Sequence, residues 1–194
     1  VVSNARVGQT AENLSKIVKI KSYSGDEENV CRKLVELCEE AGFDEVRIDA
    51  LGSVIGRVGN GPKKLAFDAH IDTVEVGDPE QWDRDPFSGD IENGKVYGRG
   101  TSDQKGGAAS MITAGRILKE LGYGGEYTVY FTFTVLEEDC DGMCWKYLIE
   151  EEGLRPDFAV STEPTSCRVT RGQRGRMEMI ARLKGVSSHG SAPE

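Results

Sequence analysis

A histidine and an aspartate two residues apart are the first residues of this sequence whose types and spacing suggest chemistry. They form the run His70-Ile71-Asp72 and directly follow the apolar segment 65–69, which we interpret as a buried β-strand. Side chains two positions apart on a strand project to the same side of it. One of the pair can therefore bind a metal ion while the other orients the imidazole. By itself this spacing is weak evidence, because an ordinary polar strand end looks the same.

Acidic residues stand at three later points where a predicted strand ends or a predicted helix begins. Asp103 follows a glycine-rich turn at a helix start. The pair Glu137 and Glu138 comes directly after an apolar strand, and Glu163 follows another. Each of these acids alone would suit an exposed turn. Their occurrence at the ends of successive strands favours one shared site, because open α/β sheets carry out their chemistry at the carboxyl ends of strands.

Such a cluster of acids predicts a bound divalent cation. Buried carboxylates without basic neighbours are costly, because like charges repel and each group loses its hydration. A cation supplies the missing positive charge, and His, Asp and Glu are ligands that suit Zn²⁺, Co²⁺ or Mn²⁺. A bound metal lowers the pKa of water from about 16 toward 7, which yields a nucleophile at neutral pH. Adjacent Glu137 and Glu138 permit a division between holding metal and accepting a proton.

The elements that must position these residues alternate between helices and strands. Apolar spacing predicts helices over 10–20, 26–41, 102–121 and 143–151, and strands over 45–49, 53–58, 65–69, 127–136 and 157–161. Segment 75–99 is interpreted as a long, functional loop with a hairpin turn at Glu92-Asn93-Gly94. A strand over 177–183 would begin another unit. The alternation predicts an α/β fold with a mostly parallel central sheet flanked by helices.

The composition argues against several classes of function. Hydrophobic residues make up 38% of the 194 positions and charged residues 29%, which favours a packed core over a disordered chain. A net charge of −9 argues against nucleic acid or an anionic membrane as a partner. No apolar run approaches the roughly 20 residues of a membrane span. Five cysteines without a regular framework favour a reducing cytoplasm, with Cys140 and Cys144 as free thiols.

In order and spacing, the motifs resemble the family of dinuclear zinc metallopeptidases that includes aminoacylase, succinyl-diaminopimelate desuccinylase and carboxypeptidase G. The resemblance rests on FDAHIDTV, WDRDPFSGDIENGKVYGRGTSDQKGG, TFTVLEED and STEP, followed by GQRGRMEMIARLKGVSSHGSAPE. It extends from Leu65 to the last residue and points to the subgroup of hydrolases linked to selenium metabolism. It implies a zinc-peptidase-like catalytic domain over residues 1–171 and the start of an α+β lid or dimerisation domain over 172–194.

The resemblance implies a ligand set for two metal ions. His70 and Glu163 would bind one ion and Glu138 the other. Asp103 would bridge the two. We expect Zn²⁺, with two ions in each full-length subunit and with Co²⁺ or Mn²⁺ as alternatives. The family's second ion also takes a histidine far downstream, which this sequence lacks, so we expect the chain to be the N-terminal part of a longer protein.

The resemblance also implies the residues of catalysis. Asp72 would orient His70, and Glu137 would be the general base that takes a proton from the attacking water and returns it to the leaving amine. The peptide bond after Asp103 would be cis. His189, in the predicted lid, would reach the active site of a partner subunit and stabilise the oxyanion.

The implied reaction is hydrolysis of an amide bond in a small peptide or an N-acyl amino acid, near a free carboxylate. A homodimer formed through the lid domain is part of the same expectation, and the cysteine content adds the expectation of a cytoplasmic location. Two alternatives stay open: a dizinc aminopeptidase that recognises a free amine, and a non-catalytic α/β domain whose carboxylates bind metal only for structure. We do not expect activity from residues 1–194 alone, because the second metal site is incomplete.

Overall fold

A five-stranded β-sheet positions most of the predicted site residues in the computed structural model of this chain. The structure describes residues 6–140, 142–172, 175, 177, 179–186 and 188–191. These residues fall into two units, 1–164 and 165–194, and every helix and strand among them lies in the first unit. The assignment of 172–194 to a lid domain stays a prediction.

The elements of the first unit follow the predicted alternation. The helices are α1 (Val7–Val18), α2 (Glu28–Glu40), α3 (Lys105–Glu120), α4 (Glu137–Cys140) and α5 (Met143–Glu150). The strands are β1 (Glu45–Ile48), β2 (Val54–Val58), β3 (Lys63–His70), β4 (Ile91–Glu92), β5 (Lys95–Val96), β6 (Tyr127–Thr134) and β7 (Phe158–Ser161). A 3₁₀ turn covers Pro79–Gln81. The predicted hairpin is formed by β4 and β5, with Asn93 and Gly94 both at positive φ, as a tight hairpin turn requires.

The strand order across the sheet is β1-β2-β6-β3-β7. Strand β3 pairs in parallel with β6 and with β7, whereas β2 runs antiparallel to both β1 and β6. The predicted α/β class with flanking helices is confirmed. The sheet is mixed because the short turn between β1 and β2 can connect only antiparallel neighbours. Parallel pairing of β6, β3 and β7 brings the carboxyl ends of these strands to one edge.

Helices cover both faces of the sheet. Helices α1, α2 and α3 contribute to the larger core, which includes Ile17, Leu34, Ile112, Phe131 and Phe133. Helix α5 packs on the opposite face through Leu148, which contacts Ile55 and Leu154. All five cysteines are free thiols, with Cys144 buried and Cys140 partly buried, as predicted. None of the helices in the described part of the chain combines the length and the apolar character needed to cross a membrane.

The ring of Phe43 joins helix α3 to the sheet through a gap that two glycines create. A Cβ atom at Gly56 of β2 would lie 2.6 Å from this ring, and one at Gly115 of α3 would lie 2.1 Å from it. The ring centroid of Phe43 lies 5.1 Å from that of Phe131 on β6. Both glycines are therefore needed for the close packing of α3, the helix that follows the loop containing Asp103.

The second unit contains no helix or strand among its described residues. The strand predicted over 177–183 is absent at residues 177 and 179–183, where the structure describes the backbone. Met177 and Leu183 in this segment are 81% and 95% exposed. This prediction is wrong for the described residues, because a strand forms only when a neighbouring strand satisfies its backbone groups, and none of them provides one.

The packing of Phe43 predicts opposite effects for two helical glycines. We expect Gly115→Ala to lower the free energy of unfolding by about 1–3 kcal/mol, because the new methyl group must displace the ring. Gly8→Ala in α1 is the matched control, because a Cβ atom there meets nothing within 4 Å. We expect this control to raise stability by up to about 1 kcal/mol through its better helix propensity. Urea unfolding monitored by circular dichroism measures both, and equal stability of the two variants would contradict the packing argument.

Candidate metal centre

The predicted site residues of the first unit meet at the carboxyl edge of the sheet. His70 is the last residue of β3, and Glu137 and Glu138 begin α4 just after β6. Glu163 lies two residues beyond the end of β7. Because β6, β3 and β7 are parallel neighbours, these segments come together at one edge. Asp103 joins them from the loop that leads into α3.

His70, Asp103 and Glu138 form a group that can hold a metal ion. One ligand atom from each residue lies within 4.8 Å of the ligand atoms of the other two. His70 Nε2 lies 2.9 Å from Asp103 Oδ1. An imidazole nitrogen with two carboxylate oxygens is a donor set that suits zinc and similar ions. The residues present therefore fit a divalent cation.

Asp72 holds the segments of this group together. It is fully buried, and its Oδ2 accepts hydrogen bonds from the Ser24 hydroxyl at 2.7 Å and the Glu138 backbone N–H at 3.0 Å. Its Oδ1 accepts one from the Glu137 backbone N–H at 3.2 Å. His70 Nδ1 lies 3.3 Å from the same Oδ1 and 3.0 Å from the Asp72 carbonyl oxygen. The Asp72 carboxylate thus contacts the imidazole of His70 at the end of β3. It also contacts the backbone at the start of α4, which follows β6.

A sharp turn places the two glutamates beside Asp72. The predicted strand 127–136 ends at Thr134, and Leu136 has a φ of 61°, in the left-handed region that a leucine rarely adopts. The Leu136 backbone N–H donates a hydrogen bond of 3.1 Å to Glu27 Oε1, at the start of α2. This contact holds the turn, so that the chain leaves the sheet and enters α4 with Glu137 at the first helical position.

Negative charge dominates the electrostatics of the group. Burial lowers the pKa of His70, but the hydrogen bond and charge of Asp72 and the hydrogen bond to Asp103 outweigh it, and the pKa rises to about 10. Burial also raises the pKa of Glu138 and Glu163, where neighbouring carboxylates oppose the charge of His70. Carboxylates thus contribute to the shifts of all three groups, and a divalent cation would reduce the negative charge that they place at this edge.

Glu163 is held by a different contact. Among the described residues, the three-residue group does not include it. Its Oε1 accepts a hydrogen bond from Gln104 Nε2, and Gln104 Oε1 accepts one from the Thr162 hydroxyl at 2.8 Å. The peptide bond between Asp103 and Gln104 is cis, as the resemblance implied.

Sequence reasoning missed three residues that support the site, namely Ser24, Gln104 and Lys105. Lys105 is fully buried, and its Nζ donates hydrogen bonds of 3.1 Å and 2.8 Å to the carbonyl oxygens of Ile17 and Ile20. Burial lowers its pKa to about 7. The contact ties the start of α3 to the end of α1. Single polar residues of this kind have no diagnostic spacing, so only the folded structure reveals their partners.

His189 belongs to the second unit. Its side chain is exposed, and its Nδ1 lies 2.7 Å from the Ser191 hydroxyl. Its action in the active site of a partner subunit stays a prediction.

The sequence pattern of peptidase family M20/M25/M40 matches residues 66–174 of this chain. The matched segment is more than half of the sequence and contains all four predicted metal ligands. The chain therefore belongs to this peptidase family, which confirms the resemblance drawn from its motifs.

Relatives within the family extend well beyond the matched region. The chain is 55% identical over 181 residues to a protein named YgeY, described as uncharacterized, from Escherichia coli (strain K12), covering 93% of this chain and 45% of that protein. It is 31% identical over 185 residues to a probable succinyl-diaminopimelate desuccinylase from Staphylococcus epidermidis (strain ATCC 35984), again covering 93% and 45%. The chain thus spans about half the length of the curated relatives it matches.

Solved structures share the fold of the first unit. An M20 family metallo-carboxypeptidase, Sso-CP2 from Sulfolobus solfataricus, matches with a TM-score of 0.69 and 25% identity, covering 78% of this chain and 36% of that one. Human carnosine dipeptidase 1 matches with a TM-score of 0.69 and 20% identity over 82% of this chain and 39% of its own. These likenesses confirm the predicted zinc-peptidase-like architecture.

The contacts of Asp72 predict a loss of metal affinity in Asp72→Asn. We expect Zn²⁺ binding to weaken by about 10- to 100-fold, because the amide removes the negative charge beside His70 and replaces one acceptor oxygen with a donor. Competition titration against a chromophoric chelator measures the affinity, with circular dichroism to verify folding. Ser24→Ala is the control, since it removes only one donor to Asp72, and its effect should stay below tenfold. Unchanged affinity in Asp72→Asn would contradict an orienting role.

Proposed function

We propose that this chain is part of a metal-dependent hydrolase that cleaves an amide bond in a small peptide or an N-acyl amino acid. The observation that carries the proposal is the convergence of His70, Asp103 and Glu138 within 4.8 Å, beside Glu137. Membership of a peptidase family supports this class of reaction. One relative at 31% identity is named a probable succinyl-diaminopimelate desuccinylase, which supports an acylated amino acid as substrate.

The proposed ligands are the residues that the motifs indicated. His70 and Glu163 would hold one divalent ion and Glu138 a second, with Asp103 as a ligand to both. Zinc is the metal we favour, with Co²⁺ or Mn²⁺ as alternatives, because nitrogen and carboxylate donors suit all three. When bound, the metal supplies Lewis acidity, which polarises the scissile carbonyl and lowers the pKa of water.

Glu137 is the proposed general base. Its Oε2 lies 3.7 Å from His70 Nε2, and its side chain is 36% exposed, so water and substrate can reach it. Its backbone N–H is held by Asp72, which keeps the side chain at the entrance of the group. The carboxylate takes a proton from the attacking water and donates it to the leaving amine.

Three further parts of the proposal rest on the sequence alone. His189 reaches the active site of a partner subunit and stabilises the oxyanion. The protein forms a homodimer through the lid domain that begins at residue 172. It works in the cytoplasm on small-molecule substrates. The run SSHGSAPE around His189 supports the first two parts.

Substitution of the proposed general base, Glu137, should stop turnover without removing the metal. In the full-length protein, we expect Glu137→Gln to lower kcat by about 100- to 10,000-fold, because proton transfer by a positioned group contributes a factor of that size. Amine release from N-acyl amino acids measures turnover, and elemental analysis measures the metal. Asp139→Asn, in the same helix but exposed, is the matched control and should retain activity. Retained turnover in Glu137→Gln would exclude the general-base role, whereas an absence of turnover in the unmodified full-length protein would favour the non-catalytic alternative.

Product analysis separates the deacylase from the aminopeptidase alternative. The full-length protein is incubated with an N-acyl amino acid and, separately, with a dipeptide that has a free amine. Cleavage of the acylated compound supports the proposal. Cleavage restricted to the compound with the free amine would support an aminopeptidase instead.

Removal of the shared ligand should lower the metal content itself. We expect Asp103→Ala to lose at least half of the ions bound per chain, because this carboxylate contributes charge to both proposed sites. Elemental analysis after dialysis without chelator measures the stoichiometry of residues 1–194. Asp78→Ala is the control, since the exposed Asp78 side chain accepts a hydrogen bond from the Glu80 backbone N–H at the start of the 3₁₀ turn and is not among the proposed ligands. An unchanged metal count in Asp103→Ala would remove Asp103 from the ligand set.

A further inference from the structure

We propose that Gln104 is a positioning residue that orients Glu163 for metal binding by holding one of its two carboxylate oxygens. The inference rests on the proposed function, because it takes Glu163 to be a metal ligand. Gln104 is not a ligand itself, and it would act through Glu163.

The amide of Gln104 is fully buried, and both of its polar atoms are in use. Its Nε2 donates to Glu163 Oε1, and its Oε1 accepts from the Thr162 hydroxyl at 2.8 Å. A carboxylate only accepts hydrogen bonds, so the opposite orientation of the amide would set two acceptor oxygens against each other. A hydroxyl can donate or accept, and that of Thr162 also lies 3.0 Å from the Asp68 carbonyl oxygen, so it is the Glu163 carboxylate that selects this orientation of the Gln104 amide.

The backbone of Gln104 is anchored independently of its side chain. Its carbonyl oxygen accepts hydrogen bonds from the Gly107 N–H at 2.9 Å and the Ala108 N–H at 3.3 Å, in the first turn of α3. Gln104 also directly follows Asp103 in the chain. One residue thus connects the shared ligand Asp103, the start of a buried helix and the carboxylate of Glu163.

Thr162, the hydrogen-bond partner of Gln104 Oε1, is itself held in place. Its backbone N–H donates to the Asp68 carbonyl oxygen of β3 at 2.9 Å, so it is held against the central strand. A Cβ atom at Gly107 would lie 2.1 Å from the Thr162 hydroxyl, which shows how closely α3 approaches this segment. The distance that the Gln104 amide spans is therefore set by the packing of α3 against the end of β7.

The consequence for Glu163 is a preference between its two oxygens. Oε1 is engaged by the amide of Gln104, which favours Oε2 as the atom that binds a metal ion. A hydrogen bond from a buried donor also restricts the rotation of the carboxylate. Such outer contacts orient ligands and raise metal affinity without contacting the ion.

Zinc titration of the 194-residue chain tests the proposal with two variants. One changes Gln104, and the other changes Thr162, which forms a hydrogen bond with the Gln104 amide. Gln104→Met keeps the length of the side chain but removes its hydrogen bonds, and Thr162→Val keeps its shape but removes the hydroxyl. We expect each to weaken Zn²⁺ affinity by about 10- to 100-fold, as loss of an outer contact does. We also expect the double variant to bind no more weakly than Gln104→Met, because both changes break one coupled contact. Circular dichroism verifies that each variant is folded.

Three outcomes would overturn the proposal. Wild-type affinity in Gln104→Met would show that Glu163 needs no positioning. Additive losses in the double variant would show that Gln104 and Thr162 act separately, as general structural residues do. If Gln104→Met fails to fold, wild-type affinity in Thr162→Val decides against the proposal and a loss of at least tenfold supports it.

Glu163→Gln separates this inference from the proposed function. Weaker Zn²⁺ binding in Glu163→Gln together with unchanged binding in Gln104→Met leaves the ligand assignment intact and rejects only the positioning role. Unchanged binding in Glu163→Gln rejects Glu163 as a ligand, and the inference is rejected with it.

Discussion

The buried carboxylate of Asp72 is the group on which the geometry of the metal centre depends. It accepts hydrogen bonds from Ser24 and from the backbone of Glu137 and Glu138, and it lies beside His70 Nδ1. Burial raises its pKa, but the hydrogen bonds from His70, Ser24 and Glu138 outweigh burial and hold the pKa below its usual value. An ionised group without access to water is tolerated only when its acceptor sites are filled, so the segments that fill them are held in place.

Contacts made by Lys105 and Gln104 bring Asp103 and Glu163 to the same edge of the sheet. Lys105 ties the start of α3 to the end of α1, and Gln104 reaches from that start to the segment after β7. The parallel strands fix the spacing of the other ligands. The result is one histidine among several carboxylates, an arrangement whose excess negative charge falls when a divalent cation is present. The architecture and the proposed chemistry therefore depend on each other.

Local patterns predicted the helices and strands well, because apolar periodicity and turn residues act over a few positions. The Asn93–Gly94 hairpin is an example, since these residue types accept positive φ. The predicted strand 127–136 was too long, because the turn at Leu136 depends on a hydrogen bond to Glu27, more than a hundred residues away. The strand predicted over 177–183 was wrong for the described residues, since pairing requires a partner that periodicity does not reveal.

The sequence by itself determined the family, the order of the motifs and the types of the candidate ligands, because these are properties of residues and spacing. Only the tertiary structure decided which ligand atoms come together, placing Glu138 with His70 and Asp103 and leaving Glu163 on the amide of Gln104. Distances between residues far apart in the chain depend on strand order and helix packing. Those follow from the burial of the whole core, which no local pattern encodes.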